Sequence, residues 1–433
     1  MLLISKFYKL YLDCDQKVCT DTRKITNGCL FICLVGANFD GNEFAQKAIE
    51  MGAKYVISSN IDFCNESTTF FTKDSLVLLQ KLAIEHRKTF KIPVLGIGGS
   101  NGKTTSKELC KLVAKTKYKT YATGGNFNNH IGVPLSILET PKDTEIAIYE
   151  MGTNNPGEMQ VLCEICQPSM VLVTNVGKEH LEGFGNMEAI ALEESVIIKY
   201  AQNKGGQIIL NSDDDWFSQV VKPTGNIIRY GLKSISDVYA KIETSMPKAH
   251  YNLYIKNDLI GNYKLKIGGD FNVQNTLAAI AFGLLININP NECALACAEY
   301  TPENNRSQWI SSGNRQIMMD AYNANPSSVE VSLSEFAKIA GNKLAILGDM
   351  YELGAHAVQE HMNIFKLTQQ LQIPTFFCGE IYSEVLGNNA MVFKNKSELI
   401  EAIKNQRIPK FVLIKGSRGM KMEEVLPCVQ SAE

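Results

Sequence analysis

No stretch of this sequence approaches the roughly 20 consecutive apolar residues that a membrane-spanning helix needs. The segment Met1 to Leu12 is interrupted by Lys6 and Lys9. It lacks both an apolar run of signal-peptide length and a small-residue cleavage site. These absences argue against membrane insertion and secretion, and a cytoplasmic protein is expected. A charge excess is missing as well. Lys and Arg number 43 against 45 Asp and Glu, a formal net charge of -2, which gives no electrostatic case for nucleic acid or a membrane surface as partner. A small anionic substrate is still admitted, because local charge matters more than the total. Internal repeats and low-complexity tracts are absent too. Cysteine is present, 12 in all, but without the dense framework of a disulfide scaffold, so buried thiols in a reducing compartment are expected. Cys163-Glu164-Ile165-Cys166 has the C-x-x-C spacing but neither a partner pair nor a thioredoxin-like setting, and is read as structural.

What is there is a soluble globular composition, 45% apolar and 20% charged, in a chain of 433 residues. That is too long for one ordinary hydrophobic core and predicts two or three domains. Strand-like runs at Leu30–Leu34 and Tyr55–Ser58 flank a helical stretch near Phe44–Met51, and Leu76 to His86 reads as a helix. A new unit starts at Pro93. Its short strand, Val94-Leu95-Gly96-Ile97, leads into a glycine loop and a helix from Thr104 to about Lys115. Apolar runs recur at Ile146–Tyr149, Val171–Asn175 and Ile208–Leu210, alternating with helical stretches, as in a mostly parallel sheet covered by helices. Tyr239–Ile267 alternates polar and apolar residues and predicts an antiparallel excursion; Asn272 to Leu285 predicts a helix. Beyond Pro302–Gly313, strands are expected at Ile317–Asp320, Leu344–Leu347, Thr375–Cys378 and Phe411–Ile414. The expected architecture is α/β with three domains: a small N-terminal one (1–88), a central parallel sheet bearing a phosphate loop (89–304), and a Rossmann-like C-terminal one (305–433).

The loop Gly96-Ile97-Gly98-Gly99-Ser100-Asn101-Gly102-Lys103-Thr104-Thr105 carries the clearest chemistry. Gly98, Gly99 and Gly102 lack a Cβ, so their N–H groups can curve into an anion-binding nest. The helix that follows aims its N-terminal partial charge at the same point. Lys103 adds a full charge toward the terminal phosphates, and the Thr104 hydroxyl is suited to a magnesium ion. Ile97 stands where the strict pattern has glycine. A dinucleotide fingerprint would need glycine at Asn101 and would not need the Lys-Thr pair.

A nucleotide loop does not name a reaction. Further motifs run along nearly the whole chain: Asp21-Thr22-Arg23; Gly36, then Phe39-Asp40-Gly41, then Phe44; Gly125-Asn126-Phe127-Asn128-Asn129, then Ile131-Gly132-Val133-Pro134; His180-Leu181-Glu182-Gly183-Phe184-Gly185; Asn305-Arg306-Ser307; Asp320-Ala321-Tyr322-Asn323-Ala324-Asn325-Pro326; Leu347-Gly348-Asp349-Met350, then Glu352-Leu353-Gly354; and Lys415-Gly416-Ser417-Arg418-Gly419. In this order they resemble the Mur ligases, and within that family the branch that adds a dipeptide.

The resemblance implies ATP-dependent ligation of D-alanyl-D-alanine to the carboxylate of UDP-N-acetylmuramoyl-tripeptide through an acyl phosphate. The setting is peptidoglycan precursor synthesis, with Mg2+ as cofactor and a monomeric enzyme. It implies that Gly99, Ser100, Asn101, Gly102, Lys103, Thr104 and Thr105 hold the phosphates. Thr104 and Glu150 would bind a first magnesium and His180 a second. Asn275, sharing a helical face with Asn272, would reach adenine, Asp320 the ribose, and Arg306 a phosphate when the domains close. The substrates would meet Thr22, Arg23, Asn128, Asn129, Tyr322, Asn323, Asn325, Lys415, Ser417 and Arg418. Asn325 precedes Pro326 and also reads as a turn; Lys415 to Arg418 also read as a solvated basic turn. His130 stands where many relatives carry aspartate.

One departure bears on the chemistry. Counting from the His180 motif, the family's carbamylated lysine, which supports the second magnesium, falls on Glu194. A carboxylate is an ordinary magnesium ligand, so Glu194 is expected to supply that negative charge directly, through a bridging water or a shifted helix. The opposite reading is a weakened ligase or a nucleotide-binding scaffold. Gly98, where relatives commonly have threonine, is a second departure. Another carboxylate–amine ligase is the alternative within enzymes, but the Asp-Asn-Pro-Arg motif of the ligase adding the third peptide residue is absent.

Overall fold

A computed structural model describes residues 2–303, 305–387, 391–404 and 406–431. The boundary expected between the second and third domains falls on Asn304, which lies outside the described residues, as do the chain ends Met1 and Glu433. Three sheets organise the chain. The first is a four-stranded parallel sheet in the order Val18–Cys19, Leu30–Ile32, Tyr55–Ser58, Thr69–Phe71. Helices Leu2–Asp13 and Ser75–Arg87 pack beside it. The first of these occupies the stretch that the sequence shows only as a candidate targeting segment.

The central sheet has nine strands. Val94–Gly98 lies between Ile146–Glu150 and Met170–Val173 and pairs in parallel with both. Gln207–Asn211, Asn226–Gly231 and Val238–Thr244 continue the parallel run. His250–Ile255 and Asp258–Lys264 then add antiparallel strands, as the alternation in that stretch predicted. The strand expected over Val171–Asn175 ends at Val173. Beyond it Thr174 N still donates to Gly98 O (3.1 Å), while the Asn175 carbonyl turns to Ser100 N (2.8 Å) and its side chain brackets Asn101, Oδ1 accepting from Asn101 N (3.0 Å) and Nδ2 donating to Asn101 O (3.0 Å). Helix Asp270–Leu285 is apolar nearly all round, as a helix buried on most sides must be, and packs against helix Lys103–Lys115. Cys163 and Cys166 are buried free thiols on helix Glu158–Cys166, and burial pushes both up, Cys166 to about 12. That is the chemistry of packing, not of redox exchange.

The third sheet has the order Gln308–Ser312, Arg315–Asp320, Phe411–Lys415, Lys343–Gly348, Thr375–Cys378, Met391–Phe393, and all its pairs are parallel except the first hairpin. Named contacts join the units. Arg87 donates from Nε to Cys166 O and from Nη2 to Gln167 O, both at 2.7 Å, satisfying carbonyls at the end of helix Glu158–Cys166. Lys178 Nζ reaches both carboxylate oxygens of Glu360 (2.8 and 3.0 Å), and its N–H donates to Ser327 Oγ (2.7 Å). Among the described residues no helix is long and apolar enough to cross a membrane.

Candidate active site

The phosphate loop joins strand Val94–Gly98 to helix Lys103–Lys115. The helix begins one residue earlier than expected, with Gly102 as its N-cap at φ +81°. Gly99 has φ +110°, and a Cβ there would sit 2.8 Å from Thr174 N, so the turn excludes any side chain. A Cβ at Gly102 would fall 2.5 Å from Asn275 Oδ1. Asn275 therefore packs against the start of the loop helix and accepts from Ser106 Oγ (3.2 Å).

Above the loop lies a cavity of about 970 Å³ between the central and C-terminal sheets. Its wall includes Ser100 to Thr105, Asn128, Glu150, His180, Asn275, Arg306, Asp320, Tyr322, Asn323, Asn325, Lys415 and Arg418. Thr22, Arg23, Asn129, Ser417, Gly99 and Glu194 are not on that wall. Thr22 and Arg23 belong to the turn Thr22–Lys24, where Arg23 is exposed and pairs with Asp21. That turn approaches the Asn126–Asn129 loop, with Lys24 Nζ 5.3 Å from the Phe127 ring centre. Asn129 Oδ1 is spent on the N–H groups of Ile131 and Gly132. Ser417 is buried and braces two loops, donating to Ala324 O and accepting from Tyr351 N. Asn325 caps helix Pro326–Ala337 in a capping box, and its Nδ2 also donates to Asn101 Oδ1 (3.0 Å). The turn reading and the site reading thus meet in one residue.

At the cavity floor Lys103 Nζ donates to Gly99 O, to Ser100 O (3.1 Å) and to Glu179 Oε2 (3.3 Å). Burial pulls this ammonium down, but Glu179, Glu194 and Glu150 outweigh it and hold it above the ordinary lysine range. Glu150 Oε1 accepts from Thr104 Oγ1 (3.0 Å) and Asn128 Nδ2 (2.9 Å). Its Oε2 is buried without a hydrogen bond, 3.6 Å from Lys107 Nζ, and Glu179 Oε1 is likewise unpartnered. His180 has φ +44°; its Nδ1 meets Glu352 Oε2 at 2.7 Å, and its Nε2 lies 3.9 Å from Glu179 Oε2.

The unpaired Glu150 oxygen, on a carboxylate that also meets the Thr104 hydroxyl, and the unpaired Glu179 oxygen, on a carboxylate beside His180, each suit a hard divalent cation, since buried acceptors are rarely left unpaired. Among the described residues no three of His, Cys, Asp or Glu form a ready metal cage. Glu179 was missed in the sequence. Its signal was an acidic residue between Lys178 and His180 just past a strand end.

Glu194 sits beneath the loop. Its Oε2 accepts from Gly99 N (2.5 Å) and its Oε1 from Thr153 Oγ1 (3.3 Å). A Cβ at position 98 would lie 3.0 Å from Glu194 Oε2, so the two departures, Gly98 and Glu194, are one packing solution. Burial pushes the Glu194 carboxyl up to about 7, with Glu179 adding to this and Lys103 opposing it. A carboxyl raised in the folded state stabilises while protonated, and that contribution is lost as pH rises through about 7. Glu194→Gln keeps an acceptor for Gly99 without the charge. Its stability relative to wild type is expected to rise between pH 5 and pH 8.5 by about 1–3 kcal/mol, measured as paired thermal midpoints. A difference that stays flat across that range would contradict the assignment.

On the C-terminal wall the Arg306 guanidinium stacks 3.5 Å from the Tyr322 ring centre, with Arg418 5.6 Å from the same ring. Asp320 is not free: Lys415 Nζ (2.5 Å), Ser307 N (3.0 Å) and Ser332 Oγ (3.1 Å) all donate to it. Burial raises the Asp320 carboxyl, but Lys415 prevails and holds it below its usual range. Asp213, Trp216, Tyr230 and Gln274 complete the wall beside Asn275. They went unnoticed because they come from three separate stretches with no local motif.

A phosphate loop on a parallel sheet, closed over by a second α/β unit, defines a nucleotide-using enzyme. Three family profiles match the chain: Mur ligase family, catalytic domain, over residues 16–85; Mur ligase middle domain over 97–283; and Mur ligase, glutamate ligase domain, over 305–418. The UDP-N-acetylmuramoyl-tripeptide--D-alanyl-D-alanine ligase of Bacillus subtilis (strain 168) is 32% identical over 94% of this chain and 92% of that protein. The protein of the same name from Escherichia coli (strain K12) is 28% identical over 95% and 93%. A crystal structure of MurF from Acinetobacter baumannii superposes with TM-score 0.87 at 28% identity, covering 96% of this chain and 93% of that one. The chain belongs to the Mur ligase family, and it is an ATP-dependent ligase. MurF ligase from Thermotoga maritima, solved in complex with ADP, has TM-score 0.86 at 25% identity over 96% and 97% of the two chains.

Proposed function

We propose that this chain joins D-alanyl-D-alanine to the terminal carboxylate of UDP-N-acetylmuramoyl-tripeptide, consuming ATP with Mg2+ and releasing ADP and phosphate. The observation that carries this is the cavity floor, where Lys103 meets Glu150, Glu179 and His180 while Arg306, Arg418 and Lys415 face it from the C-terminal unit. Phosphoryl transfer to a carboxylate brings two anions together, so the chain must supply cations and hold the line of attack.

The loop amides and Lys103 hold the β- and γ-phosphates. The peptide carboxylate attacks the γ-phosphorus and ADP departs. The dipeptide amine then attacks the acyl carbon; the C–O bond breaks with its electron pair leaving on phosphate, and the nitrogen gives up one proton to the departing phosphate or to water. Thr104 and Glu150 would hold one magnesium, and His180 with Glu179 a second. These ions supply neutralisation of the charge gathering on the transferring phosphoryl group. Asn128 orients Glu150, and the docked C-terminal unit excludes water that would hydrolyse the acyl phosphate. Glu194 supplies, from beneath the loop, the negative charge that relatives obtain from a carbamylated lysine. Ligation by wild type is therefore expected to be independent of added bicarbonate, and Glu194→Gln to be slower by about 10–100-fold. Bicarbonate dependence of the wild type, or full activity of the mutant, would defeat that role.

Mass spectrometry of the nucleotide product tests the function. With tripeptides differing at the third residue, at least one is expected to gain the dipeptide mass less one water. Ligation of a single amino acid in place of the dipeptide would assign a different carboxylate–amine ligase. Nucleotide binding without any ligation would favour the scaffold.

A further inference from the structure

The loop after strand Lys343–Gly348 touches the central domain at one point with unusual closeness. Glu352 adopts φ +63° and His180, opposite it, φ +44°, both in the left-handed region that residues with a Cβ enter at a cost. The Glu352 carbonyl accepts from Glu182 N (3.1 Å) while its Oε2 reaches His180 Nδ1 (2.7 Å). Gly354, at φ +50°, lets the loop settle on Glu182, where a Cβ would lie 3.3 Å from Glu182 Cα. Two uncommon backbone conformations in direct contact across a domain boundary are more than general adhesion requires. Lys178 with Glu360 already supplies a strong ion pair there.

The consequence is an orientation. With Nδ1 bonded to a carboxylate, the imidazole ring is fixed and its other nitrogen faces the cavity. Nε2 lies 3.9 Å from Glu179 Oε2, and the second oxygen of Glu179 is buried without a partner. Glu179 also pairs with Lys103 of the phosphate loop. A continuous line of contacts therefore runs from the C-terminal domain through Glu352, His180 and Glu179 to Lys103. Carboxylates behind metal-binding histidines fix the ring and raise its basicity, and their loss commonly weakens metal affinity about 10–100-fold.

We infer that Glu352 is a positioning residue: brought in by docking of the C-terminal domain, it turns His180 Nε2 toward the cation subsite, so that the subsite is complete only in the docked enzyme. This rests on the reading of His180 as a metal ligand. In the docked form the second cation and domain closure then favour one another, because each stabilises the state the other needs.

The test is Mn2+ binding, followed by electron paramagnetic resonance, to full-length protein saturated with ADP. Glu352→Ala is expected to weaken the weaker Mn2+ site about 10–100-fold, with ADP affinity in the absence of metal unchanged. Glu352→Gln, which keeps an acceptor for Nδ1–H, is expected to recover most of the loss. Lys178→Ala loosens docking without touching the ring and is expected to have a smaller effect. His180→Ala separates the two levels. If it leaves Mn2+ binding intact, the reading of His180 as a ligand fails. If it abolishes the site while Glu352→Ala does not weaken it, the positioning role alone is overturned. Equal weakening by Lys178→Ala and Glu352→Ala would also overturn it, reducing Glu352 to a docking contact.

Discussion

Lys103→Met is expected to lower ligation turnover by about a thousandfold or more. Removing one preorganised donor from developing charge typically costs about 10²–10³ in rate, and Lys103 brings a full charge into a site where it lies 12% exposed. The ligand-free arrangement adds a second reason. Lys103 neutralises a pocket whose wall also holds Glu150 and Glu179. Without it, these two carboxylates would repel the triphosphate that must enter beside them. Both binding and chemistry should therefore suffer, with ADP affinity falling as well as turnover. Single-turnover measurements at saturating ATP separate the two losses. A mutant retaining more than about a tenth of wild-type turnover would remove Lys103 from the phosphate site, given the usual size of such effects.

Arg306→Ala is expected to behave differently: turnover falls by about 10²–10³ while ADP affinity changes less than about fivefold, since an arginine that meets the phosphoryl group only in the closed state stabilises the transition state selectively. In this structure its guanidinium stacks on Tyr322. That stack keeps it planar and half-buried on the cavity wall. Arg306→Lys should recover little, because an ammonium has neither the fork nor the flat face that stacks. Equal losses of turnover and nucleotide affinity in the alanine variant would place Arg306 in ground-state binding and contradict this role.

The phosphate loop was legible because its chemistry is local: ten consecutive residues set the backbone, the charge and the helix dipole together. The parallel sheet was legible for a related reason, since buried strands are continuous apolar runs. The strand Met391–Phe393 and the N-terminal pair Val18–Cys19 were not, being too short to show a period. Site residues split the same way. Glu150 closes one strand and His180 comes after another, so both could be placed in the cleft. Glu179, Asp213 and Gln274 needed the fold, because their partners lie on other elements. Bonds that the fold makes with some of the expected site side chains were not legible either. Asn129 caps its own turn, Ser417 ties two loops together, and Asp320 accepts from Lys415, Ser307 and Ser332. Glu194 is the instructive case. Counting along the chain put Glu194 where relatives carry a lysine, and its carboxyl accepts from the phosphate loop's Gly99 N and from Thr153 Oγ1. That it lies under the loop, where a Cβ at position 98 would come within 3.0 Å of its Oε2, follows from packing alone.

Phosphate release measured with the substrates added singly and together tests the central claim most directly. With ATP, Mg2+, UDP-N-acetylmuramoyl-tripeptide and D-alanyl-D-alanine all present, phosphate and ligated product should appear in equal amounts, and omission of either peptide substrate should abolish steady-state release. Release that persists at the same rate without D-alanyl-D-alanine, or nucleotide binding with no release in the complete mixture, would contradict it.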